Sequence, residues 1–296
     1  MNKPIAKTRY VSAQKMKEGA GVTVHRTIGT PALRNYDPFM LLDHFSSDNP
    51  DDYIAGFPSH PHRGFSTFTY MLDGIMEHED SMGNSGKLGP GWAQLMKAAS
   101  GIVHSEMPRQ EAGLMRGFQL WINLPAVNKM DDPEYQEYPA DAFPVYERPE
   151  YSVKVIVGSY EDITAPIVDT ITRVDYLDVN IQPGQHFHYQ PLPNHNSLLY
   201  VFEGGGRIDD KEVPVHTLIA LGEENESIDF KAGKNGARFV YISGTPINEP
   251  VVQYGPFVMN TREEIDQAVR DYQSNNFVRT RAWIKGGKMQ DKRNSK

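Results

Sequence analysis

The chain of 296 residues contains no cysteine. Without cysteine it can form no disulfide framework, thiolate zinc site, cysteine nucleophile or thiol switch. Any bound metal ion must therefore be held by histidine nitrogen and by oxygen. The sequence also has no window near the roughly 18 apolar residues of a membrane span and no signal-peptide core at its N-terminus. These absences predict a soluble, cytoplasmic protein without a membrane partner.

Positive charge is scarce. The sequence has 30 Lys and Arg against 38 Asp and Glu, for a formal net charge of −8. Sequence-independent affinity for nucleic acid comes from clustered Lys and Arg, so we expect no direct nucleic-acid binding. The one basic run is the tail at 284–296, IKGGKMQDKRNSK, which is typical of a solvated, frayed terminus.

Patterns of long helices are also scarce, and short strands dominate. Apolar residues alternate or run for four to eight positions between Gly- and Pro-containing turns, which is typical of packed sheets. One helix is predicted over 261–273, because Thr261 and Glu264 form a capping box before apolar residues at helical spacing. Strands are predicted at 65–72, 92–98, 117–124, 153–160, 172–181, 197–204, 217–221 and 237–244.

The chain contains two copies of one unit. YMLDG at 70–74 is repeated as YVFEG at 200–204, about one domain length further on. A stretch rich in Pro and acidic residues separates the copies. We therefore predict a first barrel over 1–132, a connector over 133–150, and a second barrel over 151–296 that includes the helix and the basic tail.

Two short motifs carry candidate metal ligands. In HPHRGF, His60 and His62 are two residues apart, so on a strand both side chains point the same way. Alone, this pair is more simply two polar side chains at the mouth of a strand. In GIVHSEMP, however, His104 and Glu106 repeat the spacing at a second strand mouth. Together the two motifs predict a site of three imidazoles and one carboxylate.

A nitrogen-rich site without thiolate suits one divalent ion, and Fe(II), Mn(II), Co(II), Ni(II), Cu(II) and Zn(II) all remain open. The second copy is an internal control. It contains His186 and His188 but no equivalent of HSE, so both are predicted to be ordinary polar residues in a metal-free barrel. His78, among acidic residues after a turn, is expected in a solvated loop.

The sequence resembles the pirin family, two-barrel members of the cupin superfamily. The resemblance spans nearly the whole chain, and the combination of HPHRG with HSEMP is its most specific part. The matching motifs are HPHRGF at 60–65, YMLDG at 70–74, HEDSMGN at 78–84, GIVHSEMP at 101–108, GFQLWINLP at 117–125 and YGPFVMNT at 254–261.

The resemblance implies an all-β bicupin, two tandem double-stranded β-helix barrels with a short C-terminal helix, in which only the first barrel binds metal. Carried over by motif, the ligands are His60, His62, His104 and Glu106, and the expected ion is Fe(II). One departure is Ser66, where cupins usually carry Glu. Because pirins take their carboxylate ligand from HSE, the metal site is expected to survive this change.

Two functions of different classes follow. The first is a metal-dependent dioxygenase of the quercetin 2,3-dioxygenase type, which opens a flavonol-like ring with O2 and uses Glu106 as the catalytic base. The alternative is an iron- and redox-responsive binding protein that regulates a protein partner without turnover. A metal-free scaffold is a third, weaker hypothesis. The chain is expected to be a monomer, and neither the native metal nor the physiological substrate can be read from its residues.

Overall fold

In the computed structural model, the described residues are 7–110, 112–222, 227–281 and 284–285. The predicted all-β architecture is confirmed, and the described part contains one α-helix, α1 (Arg262–Gln273). No helix in that part is both long and apolar enough to span a membrane. Most of the basic tail, residues 286–296, lies outside the described residues.

Short strands make up most of the chain. The first thirteen are β1 (Arg9–Ser12), β2 (Gln14–Glu18), β3 (Val22–Arg26), β4 (Phe39–Ser47), β5 (Phe57–His62), β6 (Phe65–Asp73), β7 (Met76–Asp80), β8 (Ser85–Leu88), β9 (Ala93–Lys97), β10 (Ile102–Pro108), β11 (Met115–Asn123), β12 (Glu134–Tyr138) and β13 (Val145–Glu147). Three single-turn 3-10 helices interrupt them at Pro50–Asp52, Ala126–Asn128 and Ala140–Ala142.

The remaining strands belong to the second half of the chain. They are β14 (Tyr151–Val157), β15 (Ser159–Tyr160), β16 (Ile163–Thr164), β17 (Asp175–Ile181), β18 (His186–Tyr189), β19 (Asn196–Ile208), β20 (Lys211–Pro214), β21 (Thr217–Ala220), β22 (Ile228–Gly244), β23 (Val252–Tyr254), β24 (Phe257–Met259) and β25 (Ile284–Lys285). Each strand predicted from the sequence coincides with an observed one, with ends shifted by a few residues except in β22, which is much longer.

The strands form two compact units. The described parts of 1–15, 25–43 and 141–248 make up the C-barrel unit, and those of 16–24, 44–140 and 249–296 make up the N-barrel unit. Neither unit is one continuous stretch of sequence. The predicted borders at 132 and 151 stay a prediction, but α1, which we assigned to the second barrel, falls within the N-barrel unit.

The C-barrel unit contains a nine-stranded sheet in the order β1, β21, β19, β22, β17, β14, β13, with β18 beside β22 and β20 beside β19. The N-terminal strand β1 thus pairs antiparallel with β21. The inner face of the sheet buries a large apolar cluster rich in aromatic rings, including Tyr160, Phe187, Phe230, Phe239 and Tyr241.

Two large sheets and the short pair β23 and β24 lie in the N-barrel unit. One has the order β2, β3, β4, β11, β6, β9, β12, β25, and the other has the order β5, β10, β7, β8. Buried and partly buried residues alternate along β10, so that Ile102, His104 and Glu106 share the buried face. Because the buried face of β10 carries polar side chains, this part of the unit is a candidate functional site and not an apolar core.

The helix α1 begins where the sequence predicted it. Thr261 accepts a hydrogen bond from the backbone N–H of Glu264, and the Glu264 side chain accepts one from the Thr261 backbone, which completes the capping box. The helix buries Ile265 and Ala268 in an apolar cluster with Phe257, Met259 and Phe277. Hydrophobic packing therefore fixes α1 against the segment that precedes it.

Candidate metal centre

Two adjacent antiparallel strands carry the candidate ligands. In the register of β5 and β10, His60 lies opposite His104, and His62 lies opposite Ile102. HPHRGF places His60 and His62 at the end of β5, GIVHSEMP places His104 and Glu106 within β10, and these two strands pair directly with each other. Since the strands are neighbours, side chains two residues apart on each are directed to one face, and the three imidazoles meet.

The three imidazoles form a compact group. Ring centroids are 4.6 Å apart for His60 and His62, 4.6 Å for His60 and His104, and 4.9 Å for His62 and His104. One ring nitrogen from each residue lies within 4.8 Å of the other two. Three nitrogen donors at this separation can bind a single transition-metal ion and leave positions for further ligands.

The hydrogen bonding of these rings fits a cation. Both ring nitrogens of His62 and of His104 are buried, and none has a hydrogen-bond partner among the described residues. Buried polar atoms without partners are destabilising, and a bound metal ion would remove this cost by coordinating these nitrogens. The ring of His60 donates its Nδ1–H to the carbonyl oxygen of Pro58 at 2.8 Å. That bond orients the ring and leaves the Nε2 lone pair free to coordinate.

Electrostatics keeps two of the imidazoles neutral. Burial lowers the pKa of both His62 and His104 well below the ordinary histidine value, and the neighbouring histidines act in the same direction. A neutral imidazole is the form that binds metal, so the site has its ligands ready at physiological pH.

Glu106 lies beside this group but is not part of it. A register shift separates Glu106 from His104 along β10. The donor atoms that lie within 4.8 Å of one another come from the three histidines and do not include the Glu106 carboxylate. Its side chain is buried, and the hydroxyl of Thr69 donates to its Oε1 at 3.4 Å. Burial raises the pKa of Glu106, which suits a group that takes up and returns a proton.

A buried polar network of residues that the sequence analysis missed begins on the strand beside Glu106. His78 lies opposite Glu106 on β7 and is fully buried, so the expectation of a solvated loop is wrong. Its Nε2–H donates to the carboxylate of Glu137 at 2.9 Å, and the side-chain amide of Gln94 donates to the same oxygen at 2.6 Å. The alternation of Met76, His78 and Asp80 with two acidic residues was a strand signal that could have been recognised.

Neighbouring side chains define the walls. The half-buried Trp121 on β11 meets His62 edge to face, at a centroid distance of 5.4 Å, and packs on Phe65 at 4.4 Å. Ser66 is separated from the inward-facing Thr69 by three positions along β6, so strand alternation directs it to the opposite face. The missing cupin Glu at position 66 therefore removes no carboxylate from the histidine group.

The second pair of histidines differs in its surroundings. His186 and His188 are exposed on β18, on either side of the buried Phe187. The ring of His186 pairs with the carboxylate of Asp229 at 2.9 Å. Strand alternation thus turns both rings away from the aromatic core of the C-barrel unit, as expected of ordinary polar residues.

Comparison with known proteins gives a consistent picture. Residues 21–122 match the family model described as Pirin, and residues 176–278 match the model described as Pirin C-terminal cupin domain. A Pseudomonas aeruginosa protein provisionally named quercetin 2,3-dioxygenase is 48% identical over 264 residues, covering 86% of this chain and 92% of the relative. Human pirin is 42% identical over 286 residues, covering 93% of this chain and 96% of the relative.

The fold agrees with a solved structure. The crystal structure of quercetin 2,3-dioxygenase from Acinetobacter baumannii superimposes with a TM-score of 0.84 at 30% sequence identity, covering 93% of this chain and 98% of that one. The prediction of two tandem cupin barrels is therefore confirmed.

Proposed function

Because this chain belongs to the pirin family, we propose that it is a metal-dependent dioxygenase that opens the ring of a flavonol-like enol with O2. The observation that carries the proposal is the group of three imidazoles in which His62 and His104 are buried, neutral and without hydrogen-bond partners in the described part of the chain. The solved structure named quercetin 2,3-dioxygenase, and the Pseudomonas aeruginosa relative given that name provisionally, support the reaction class.

The proposed ligands are His60, His62, His104 and Glu106, and the proposed ion is Fe(II). Mn, Co, Ni, Cu and Zn suit the same donors. Bound Fe(II) would supply Lewis acidity toward the substrate oxygens and a redox partner for O2, whereas Zn(II) would supply only the Lewis acidity. Two observations support this donor set. The ring nitrogens of His62 and His104 have no hydrogen-bond partner among the described residues, and His60 donates its Nδ1–H to Pro58, which leaves Nε2 for the ion.

Protein side chains would carry out the remaining steps. Glu106, whose pKa burial raises, would accept the hydroxyl proton of the enol. Trp121, half-buried beside His62, would offer a flat apolar wall to a planar aromatic substrate. Burial of His62, His104 and Glu106 would limit access of water to the reacting atoms.

The test is consumption of quercetin under air by protein reconstituted anaerobically with Fe(II), followed by the loss of visible absorbance. The variant His62→Ala should lose both iron and turnover. His188→Ala is the matched control, since it removes the second histidine of the exposed pair in the other barrel. Absence of turnover in protein shown to hold iron would contradict the dioxygenase proposal.

The 42% identity to human pirin supports the alternative function equally, because the family resemblance associates animal members with transcriptional regulation. In that case the oxidation state of the ion would change the surface presented to a protein partner. Capture of the same partner by Fe(III)-loaded protein, and not by the Fe(II) form or by His62→Ala, would favour this function over turnover.

A further inference from the structure

Arg63, the residue between His62 and Gly64, has a fully buried guanidinium. It donates from Nε to the carbonyl oxygen of Ser100 at 2.7 Å, and from Nη1 to the carboxylate of Asp271 at 2.7 Å. It also stacks on the ring of Phe277, with Cζ 4.3 Å from the centroid. A planar guanidinium with several donors fixes the relative positions of its acceptors more tightly than an ammonium could.

These contacts join both strands that carry the candidate ligands. Arg63 directly follows β5, which contains His60 and His62, and Ser100 lies two residues before β10, which contains His104. One side chain therefore ties the end of one strand to the start of the other.

The anchor for Arg63 lies on α1. Asp271 as a residue is 6% exposed, and its carboxylate also accepts hydrogen bonds from Gln267 at 2.7 Å and from Arg279 at 2.8 Å. It is therefore held on its own helix while it neutralises Arg63. Removing one partner of a buried ion pair leaves an uncompensated charge, so the pair is sensitive to any loss.

A second contact fixes the same turn. The ammonium of Lys129 donates to the carbonyl oxygens of Gly64 at 2.7 Å and Val258 at 2.9 Å. Gly64 has φ +88, and a Cβ there would collide with the backbone of Val258. The backbone N–H of Val258 in turn donates to the carbonyl oxygen of Arg63 at 3.0 Å. Residues 256–258 and α1 thus hold the turn that follows His62.

We propose that Arg63 and Asp271 are positioning residues for the metal centre. By locking the end of β5 and the start of β10 onto α1, they set the separation of His62 and His104, and hence the affinity and geometry of the bound ion. The proposal rests on the metal-binding part of the proposed function and is independent of turnover.

The test uses the full-length protein with Co(II) as the probe, because its visible absorption reports coordination geometry. Asp271→Asn should weaken Co(II) binding by about 10-fold and should change the absorption spectrum. This is the lower end of the roughly 10- to 100-fold effect of losing a direct hydrogen-bond partner of a metal ligand, because Asp271 acts on the ligands only through Arg63. The matched control is Asp178→Asn, which breaks the Arg238–Asp178 pair of the C-barrel unit. It should lower the melting temperature but leave the affinity and the spectrum unchanged.

A second variant, Arg63→Lys, tests the proposal even if Asp271→Asn fails to fold. Arg63→Lys keeps the charge opposite Asp271 but cannot reach that carboxylate and Ser100 together, so the Co(II) spectrum should shift in protein that melts cooperatively. Wild-type affinity and spectrum in both variants would overturn the positioning role. If His62→Ala also bound Co(II) like the wild type, the proposed metal site itself would be wrong, which separates the two failures.

Discussion

At the scale of single residues, the distinction between ligand and base centres on Glu106. The three imidazoles form a group without it, while burial raises its pKa and Thr69 contacts its carboxylate. A carboxylate whose pKa is raised holds a proton more readily than an ordinary glutamate, which suits a general base. The proposed role of Glu106 as a base can therefore be tested separately from its proposed role as a metal ligand.

Glu106→Gln tests this separation. Glutamine keeps an oxygen donor but cannot accept the enol proton, so turnover of quercetin should fall by about 100-fold or more, the range expected for loss of a general base. Metal content should fall much less, because the three histidines remain. The measurements are kcat and metal ions per chain on the same preparations. Equal losses of both would rule out the role as a base.

The buried network around Glu137 supports a stability prediction. Glu137→Leu removes the acceptor of two buried donors, on His78 and Gln94, so the free energy of unfolding should drop by about 2–4 kcal/mol. The control on the same strand is Glu134→Leu, which breaks the partly exposed pairs with Lys97 and Lys285 and should cost about 1 kcal/mol or less. Urea unfolding monitored by tryptophan fluorescence measures both. Similar losses would show that the network adds nothing.

At the scale of elements, the N-barrel unit depends on contacts between β-strands and the segment that includes β24 and α1. Lys129 fixes the turn after β5 to the segment around Val258, and Arg63 fixes the same turn to α1. Both contacts use buried cations. Buried cations are costly to desolvate and respond to pH when they can lose a proton.

Lys129 gives this contact a pH dependence. Burial lowers the pKa of Lys129 to about 7, although Glu249 and Glu264 act in the opposite direction. The unfolded chain, with a lysine pKa of about 10.4, binds more protons above pH 7, so this residue should increase stability with pH by up to ~1.4 kcal/mol per unit between about 7 and 10. Below pH 7 Lys129 is protonated in both the folded and the unfolded protein, so the free-energy cost of burying its charge is fully present.

The comparison is urea unfolding of wild type and Lys129→Met at pH 7, 8 and 9. The wild-type free energy of unfolding should rise relative to that of the variant as the pH increases. Lys97→Met is the control, since it removes a lysine paired with Glu134 near the surface, and its curve should run parallel to the wild type. A parallel curve for Lys129→Met as well would contradict the prediction.

At the scale of the whole molecule, the two barrels share a fold and differ in the contents of their inner faces. In the C-barrel unit the core contains an apolar cluster rich in aromatic rings. In the N-barrel unit the same kind of sheet turns His104 and Glu106 inward. Each unit is also assembled from segments far apart in the chain, so a simple cut between residues 132 and 151 would separate α1 from the unit it packs in.

Several features were predictable because they depend on short-range patterns. Alternation of apolar residues indicated the strands, the spacing of Thr261 and Glu264 indicated the start of α1, and the two-residue spacing of His60 and His62 indicated a shared face. The motif resemblance indicated the bicupin fold, which the comparisons confirm. The role of the four predicted residues as metal ligands remains a proposal.

The sequence by itself therefore determined the strand pattern, the capped helix, the choice of nitrogen and oxygen donors and the family. Only the tertiary structure decided that β5 and β10 pair with each other, that His78 is buried against Glu137, and that Arg63 meets Asp271, 208 residues further along the chain. The physical reason is that hydrogen-bonding preference and side-chain alternation are local properties. The partner of a buried charge or of a strand is chosen by packing across the fold, which no local pattern records.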